Sequence, residues 1–215
     1  MATTRTLKND ALGKIGLIVR DGATVVVRDT RGARFGIGWL ARRLAAREAA
    51  VLLALEREPG MPTLIGFDGG VLERSYLPGE PIHTAQPRSR EYFVRALRLL
   101  RALHRRGIAH NDLAKEGNWL NGPGEQPGII DFQLAYRSRA RGRLFRGLAR
   151  EDLRHLMKHK RTYFPQGLTA RQRALLAHPV IATRAWRALV KPVYLLVTRR
   201  LLRWPERYGS GERHV

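Results

Sequence analysis

The chain contains no cysteine, so no disulfide framework exists and the cytosol is a comfortable compartment for it. Acidic residues are also scarce: 18 Asp and Glu stand against 40 Lys and Arg, a formal net charge of +22. That imbalance says nothing about fold. It does imply an anionic partner, whether nucleic acid, a phospholipid surface or a phosphorylated ligand. Long apolar runs are missing too, because the most apolar stretch is interrupted by Lys191, Pro192, Arg199 and Arg200, so a spanning helix is not expected. The opening "MATTRTLKND" lacks the apolar core of a signal peptide. The expected location is therefore cytoplasmic, with the inner face of the membrane as an alternative.

At 215 residues the chain can bury one good core, or two small lobes around a cleft. The β-branched runs 15–19 ("IGLIV") and 24–28 ("TVVVR") flank Asp21-Gly22 and predict a hairpin. A second hairpin is expected around Asp68-Gly69-Gly70. Between them, Leu40, Leu44, Val51, Leu52 and Leu55 predict a helix over 39–57. Pro78, Gly79 and Pro81 then read as a linker. Beyond it, Tyr92, Ala96, Leu99, Leu100 and Leu103 repeat at helical spacing and predict a helix ending before Gly107. "NGPGEQPG" (121–128) reads as the turn of another hairpin, with helices at about 149–160 and from Thr169. Thr169 and Gln172 are spaced as a capping box. A last helical region over 180–204 is broken by Pro192. The organisation expected is residues 1–77, then 78–178, then a basic amphipathic segment 179–215.

The stretch "RRGIAHNDLAKEGNWL" gathers His110, Asn111, Asp112 and Asn118 in one loop, and "IIDFQLA" places Asp131 at the end of an apolar run. Phosphoryl transfer from ATP is mostly positioning and charge neutralisation: a carboxylate orients the attacking hydroxyl, and Mg²⁺ is held by hard oxygen ligands. A loop offering one Asp and then an Asn, followed by a second Asp at a strand end, supplies that set.

On these residues the chain resembles the protein kinase-like superfamily. "HNDLAKEGN" is similar to its catalytic loop, and "IIDFQ" to its D-F-G segment. Asn118 lies one residue farther from the Asp than in that motif, and Gln133 replaces the glycine. The resemblance implies an α+β, compact two-lobed protein kinase-like fold, with a small mixed N-lobe and a mainly helical C-lobe. It implies ATP and Mg²⁺ as cofactors, Asp112 as catalytic base, Asn118 and Asp131 as metal ligands, His110 as a structural histidine, and Lys115 reaching the transferred phosphoryl. The compact build, the "REAAVLLAL" helix and the missing A-P-E segment are more similar to RIO-type atypical kinases and bacterial lipopolysaccharide-core (Kdo/heptose) kinases than to eukaryotic-type enzymes. The activity implied is transfer of the γ-phosphoryl of ATP to a hydroxyl of a protein serine or threonine, or of a lipopolysaccharide-core sugar.

On the helix at 39–57, Glu48 shares a face with Leu44, Val51, Leu52 and Leu55, where a carboxylate without a cation would be expensive. Kinases pair such a glutamate with a strand lysine at the ATP phosphates; here "VVVRD" offers Arg28, which keeps the charge but not the compact ammonium. Arg28 and Glu48 therefore join Lys115 as expected nucleotide-binding residues. "LGKIGLIVRDG" holds Gly13 and Gly16 but does not form a glycine-rich phosphate loop. "GIGWLA" (36–41) fits a dinucleotide fingerprint in letters only, since it does not follow a strand directly. His155 and His159 are one turn apart but have no third ligand, and read as surface histidines on a basic helix.

The segment 137–161 holds ten basic residues directly after the D-F-Q, which suits an acidic or phosphorylated acceptor. Its few aromatics count against single-strand stacking. The tail favours packing on the second lobe over peripheral contact with an anionic membrane. The alternative to catalysis is a kinase-like scaffold binding RNA, the ribosome or another anionic partner. An aminoglycoside-type phosphotransferase is disfavoured, because its acceptor pocket should be acidic.

Overall fold

The computed structural model describes residues 4–34, 36–55 and 57–177. The helical region expected over 180–204 and the basic segment 179–215 lie outside the described residues. The chain divides into two compact units, one of Met1–Pro78 with Ile130–Ala135, the other of Gly79–Ile129 with Tyr136–Val215.

The first unit is built on an antiparallel sheet of β1 (Thr4–Asp10), β2 (Gly13–Arg20), β3 (Ala23–Asp29), β4 (Leu64–Phe67) and β5 (Val71–Ser75), in the order β1–β2–β3–β5–β4. The β2–β3 hairpin turns on Asp21 and Gly22, both at positive φ (52° and 76°), as the turn type that follows strand twist demands. At the β4–β5 turn, Asp68 Oδ1 accepts from the backbone N–H groups of Gly70 and Val71 at 2.8 and 2.6 Å. Strand β1 was not expected from the sequence. Its "TRTLKND" has one apolar residue, Leu7, and that side chain is exposed, so no alternation marks it. Its backbone pairs with β2 in antiparallel register.

Helix α1 (Gly38–Leu55) lies on this sheet. Ala45 and Ala49 pack with Leu72 of β5, with Leu64 and Phe67 against them. Small residues let the helix approach the strands closely, and full burial of a leucine such as Leu72 contributes about 1.5–3 kcal/mol. Val51, Leu52 and Leu55 are buried as the spacing predicts, whereas Leu40 and Leu44 are only half-buried because the alanine rows take the centre of the contact. A 3₁₀ turn over Phe132–Leu134 also packs on α1 and brings Asp131 into this unit.

In the second unit, β6 (Glu80–Pro81) leads into a one-turn helix α2 (Ile82–Ala85) and then α3 (Arg90–Arg105). Ser89 caps α3 by accepting from Tyr92 N–H at 3.1 Å, and the helix buries Tyr92, Phe93, Ala96, Leu100 and Leu103. That face meets the hairpin of β8 (Trp119–Gly122) and β9 (Gln126–Ile129), where the Tyr92 hydroxyl donates to Leu120 O at 3.0 Å. Strand β6 extends the hairpin on its other edge, so part of the expected linker is sheet. A two-stranded ladder pairs β7 (Ile108–Ala109) with β10 (Tyr136–Arg137).

Helix α4 (Arg143–Tyr163) begins earlier than its periodicity predicts, because its first turn is rich in arginine and Gly142 makes no side-chain capping bond. Beyond it, α5 (Ala170–Ala177) opens on the capping box: Thr169 N–H donates to Gln172 Oε1 at 3.1 Å, and Gln172 N–H to Thr169 Oγ1 at 3.3 Å. No helix among the described residues is long and apolar enough to cross a membrane.

One glycine joins these pieces. Gly107 ends α3 at φ 73°, and a Cβ there would run into the carbonyl oxygen of Ser138, whose own N–H donates to Gly107 O at 2.8 Å. Gly107→Ala should therefore cost roughly 1–3 kcal/mol of stability. The urea midpoint should fall while the slope of the transition is kept.

Candidate active site

The loop after β7 is held by a buried carboxylate on α4. Asp152 Oδ2 accepts the backbone N–H of His110 at 2.8 Å, and Oδ1 that of Asn111 at 2.9 Å; His104 Nε2 lies 3.2 Å from Oδ2. Charge-assisted bonds from two successive amides fix both position and direction of the chain. Asn111 takes a left-handed conformation, φ 64°, which asparagine tolerates better than most residues. A second anchor comes from His159, whose Nε2 is 2.8 Å from Leu113 O; because that partner accepts only, Nε2 carries the proton.

Between the anchors, Asp112 presents a partly exposed carboxylate. Lys115 Nζ stands 2.6 Å from its Oδ2. A 3₁₀ turn over Glu116–Asn118 swings Asn118 back, so that its Nδ2 donates to Asp112 O at 2.9 Å and to Asp112 Oδ2 at 3.2 Å. The turn absorbs the extra residue between Asp112 and Asn118.

In the first unit, Glu48 is fully buried on α1 and faces two arginines. Arg28 Nε is 3.5 Å from Glu48 Oε2, and Arg74 Nε is 3.3 Å from Glu48 Oε1. Both arginines lie on one face of the sheet: Arg74 pairs with Val26, two residues from Arg28. Burial lowers the Arg74 guanidinium below its ordinary pKa, and Glu48 partly restores it. Arg28 also reaches Asp131, with Nη2 3.6 Å from Oδ1. Gln133 Nε2 donates to the same oxygen. Asp131 is itself left-handed, at φ 70° and ψ 68°.

No protein-family model and no curated protein matches the sequence. Among solved structures, the chain is similar to the crystal structure of the Rio2 kinase from Chaetomium thermophilum, with a TM-score of 0.59 and 17% identity, over 76% of this chain. The fold is protein kinase-like. The chain spans 57% of the length of that kinase chain.

Within the kinase-like fold, the second unit holds Asp112, Lys115 and Asn118 together, and the first holds Arg28, Glu48 and Asp131 together. Two residues of these clusters escaped the sequence reading. Arg74 was passed over inside a hairpin strand, although period-two alternation puts it on the buried face with Leu72. Asp152 was hidden in the basic helix, yet it falls in the stripe of Phe145, Leu148, Ala149 and Leu156, the same signal that singles out Glu48. The structure corrects the reading of His155 and His159 as surface residues: both are buried, the first 3.3 Å from Glu151 and the second on Leu113. Among the described residues no group of three His, Cys, Asp or Glu side chains could hold a metal. The basic run 137–161 is not uniformly solvated either, since Arg154 turns onto Glu151 and Lys160 onto Gln172.

Removing Glu48 leaves two buried guanidinium groups facing each other, so Glu48→Ala should cost about 3–5 kcal/mol in denaturant unfolding. Adding Arg74→Met should recover part of that loss, a non-additivity that a double-mutant cycle reads directly.

Burial lowers the His159 pKa, opposed by Leu113 O and Glu116 and assisted by His155 and Lys158. The folded chain thus binds this proton less readily than the unfolded chain does. Stability is fully present above the ordinary histidine pKa of about 6.5 and declines as pH falls through it. His159→Gln should make that decline shallower in pH-dependent thermal unfolding.

Proposed function

We propose that the chain is an atypical ATP-dependent kinase, transferring the γ-phosphoryl of ATP to a hydroxyl acceptor. The observation that carries this reading is the Asp112–Lys115–Asn118 cluster, held on a loop pinned by Asp152, in a protein kinase-like fold. Asp112 would accept or orient the proton of the acceptor hydroxyl. Lys115, in contact with that carboxylate, would offer its ammonium to the phosphoryl group. Asp152 and His159 keep the loop from relaxing when charge moves onto it. Arg28 and Glu48 would stand where kinases pair a lysine and a glutamate at the ATP phosphates.

The residues fit Mg²⁺ by donor chemistry. Asn118 spends its amide nitrogen on Asp112, and its carbonyl oxygen would then serve as the ligand. Asp131 offers a carboxylate of the same hard-oxygen kind, and Mg²⁺ commonly takes only one or two protein carboxylates beside phosphate oxygens. Bound Mg-ATP supplies the transferable phosphoryl group and the cation that neutralises it.

The acceptor that the sequence resemblance favours is a lipopolysaccharide-core sugar or a protein serine or threonine, with acidic or phosphorylated surroundings to suit the charge. A second reading is supported by Arg28 and Gln133, which both address Asp131 Oδ1 where a metal ligand is expected. On that reading the chain is a kinase-like scaffold binding RNA, the ribosome or another anionic partner. Salt-sensitive RNA binding without phosphoryl transfer would favour it.

Incubation with γ-labelled ATP and cell fractions should place label in glycolipid or protein. Asp112→Ala should retain ATP binding and lose about 10²–10⁴-fold in transfer. Asp131→Ala should abolish Mg-dependent turnover. Unchanged turnover in either variant would overturn the assigned role.

A further inference from the structure

The second unit carries arginines on α3 and on the start of α4, of which the phosphotransfer reading uses only the 137–161 run, as an acceptor preference. Residues 92–111 contain five arginines and residues 136–150 contain six, and neither stretch contains a single Asp, Glu or Lys. The fold brings the two stretches together. Arg98, Arg101 and Arg105 recur at i, i+3, i+7 and are exposed along one face of α3. At the end of that helix the ring of His104 meets the ring of Phe145 edge-on, with centroids 6.3 Å apart. This sets Arg105 beside the first turn of α4, where Arg143 and Arg146 are exposed. The connecting loop closes the surface: Ser138 N–H donates to Gly107 O, and the Arg141 guanidinium donates to Arg105 O.

Two apolar side chains stand out of this surface. Leu144 is 55% exposed between Arg143 and Arg146, and Tyr136 is 37% exposed beside Arg137. An exposed leucine inside a cationic field gains nothing from a polyphosphate. Its methyl groups gain by entering the boundary between headgroups and acyl chains, and tyrosine favours the same depth. Arginine forks bind phosphodiester oxygens bidentately, and each cation near an anionic leaflet adds to the attraction. A single exposed aromatic side chain in these stretches is poor provision for stacking successive bases. The chain's own residues beyond 177 carry the same sign of charge as the surface, so they do not complement it.

We infer that the arginine surface formed by the end of α3, the 138–142 loop and the start of α4, with Leu144 exposed between Arg143 and Arg146, docks on an anionic phospholipid bilayer. This goes beyond the proposed phosphotransfer and is read without it.

The experiment is sedimentation of the full chain with vesicles of phosphatidylcholine alone, and of phosphatidylcholine with an equal amount of phosphatidylglycerol. Binding should be confined to the anionic vesicles and weaken with added salt. R143E/R146E should lower the partition coefficient by about tenfold or more. L144S should weaken vesicle binding while leaving binding of a duplex RNA probe unchanged. R101E/R105E tests the α3 side of the same surface, and all variants should unfold at the wild-type temperature. Equal binding to both vesicle types would overturn the inference. So would wild-type sedimentation of both charge-reversed variants, which would put any binding elsewhere on the chain. Tight RNA binding with no vesicle binding would assign the surface to nucleic acid instead.

Discussion

Everything in the first unit turns on one carboxylate taken out of water. Glu48 is fully buried, and a lone ionised carboxylate there would cost several kcal/mol. Two arginines from adjacent strands make the position tenable, and in doing so they fix how α1 lies across the sheet. The alanines at 45 and 49 allow the helix to come close enough for 3.3 and 3.5 Å contacts to form. Packing and electrostatics therefore specify the same helix position by independent means. A helix rotated by one residue would bury an alanine at this point and leave two guanidinium groups facing each other across the sheet.

The second unit uses the same device with the roles of backbone and side chain exchanged. Asp152 is buried on α4, and what satisfies it is the amide pair of His110 and Asn111, helped by His104. The cost of burying the charge is offset by charge-assisted bonds that hold the loop in one conformation. Asp112 follows directly, and its surroundings of Lys115 and Asn118 are produced by a short 3₁₀ turn. A loop ordered in this way presents its carboxylate without ligand binding energy being spent on ordering it.

Much of this was legible in the sequence, and the failures have physical reasons. Both hairpins of the first unit announced themselves by Asp-Gly turns, and α1 and α3 by spaced apolar residues. Glu48 was conspicuous because it interrupts an apolar stripe. Asp152 interrupts one in the same way, but the surrounding arginines masked the stripe, and the helix looked merely basic. Arg74 was missed for a different reason: alternation puts it on the buried face, but its place beside Arg28 is a matter of register between β3 and β5, which local periodicity does not contain. Strand β1 has no hydrophobic pattern to find, since Leu7 is its one apolar residue. Burial of His155 and His159 likewise depends on which face α4 turns inward. The kinase-like fold was readable from two short motifs, whereas the arginine surface needed the fold to bring α3 and α4 side by side.

The surroundings of Arg28 suit a guanidinium rather than an ammonium. Its Nε is directed at Glu48 and its Nη2 at Asp131, so a single planar group spans two carboxylates on separate segments. An ammonium also has three donors, but they sit on one nitrogen, whereas the planar guanidinium presents separate nitrogens at fixed spacing. The fork acts as a rigid strut between α1 and the segment that follows β9. A shift of α1 away from that segment would have to break one of the two contacts or carry Arg28 with it.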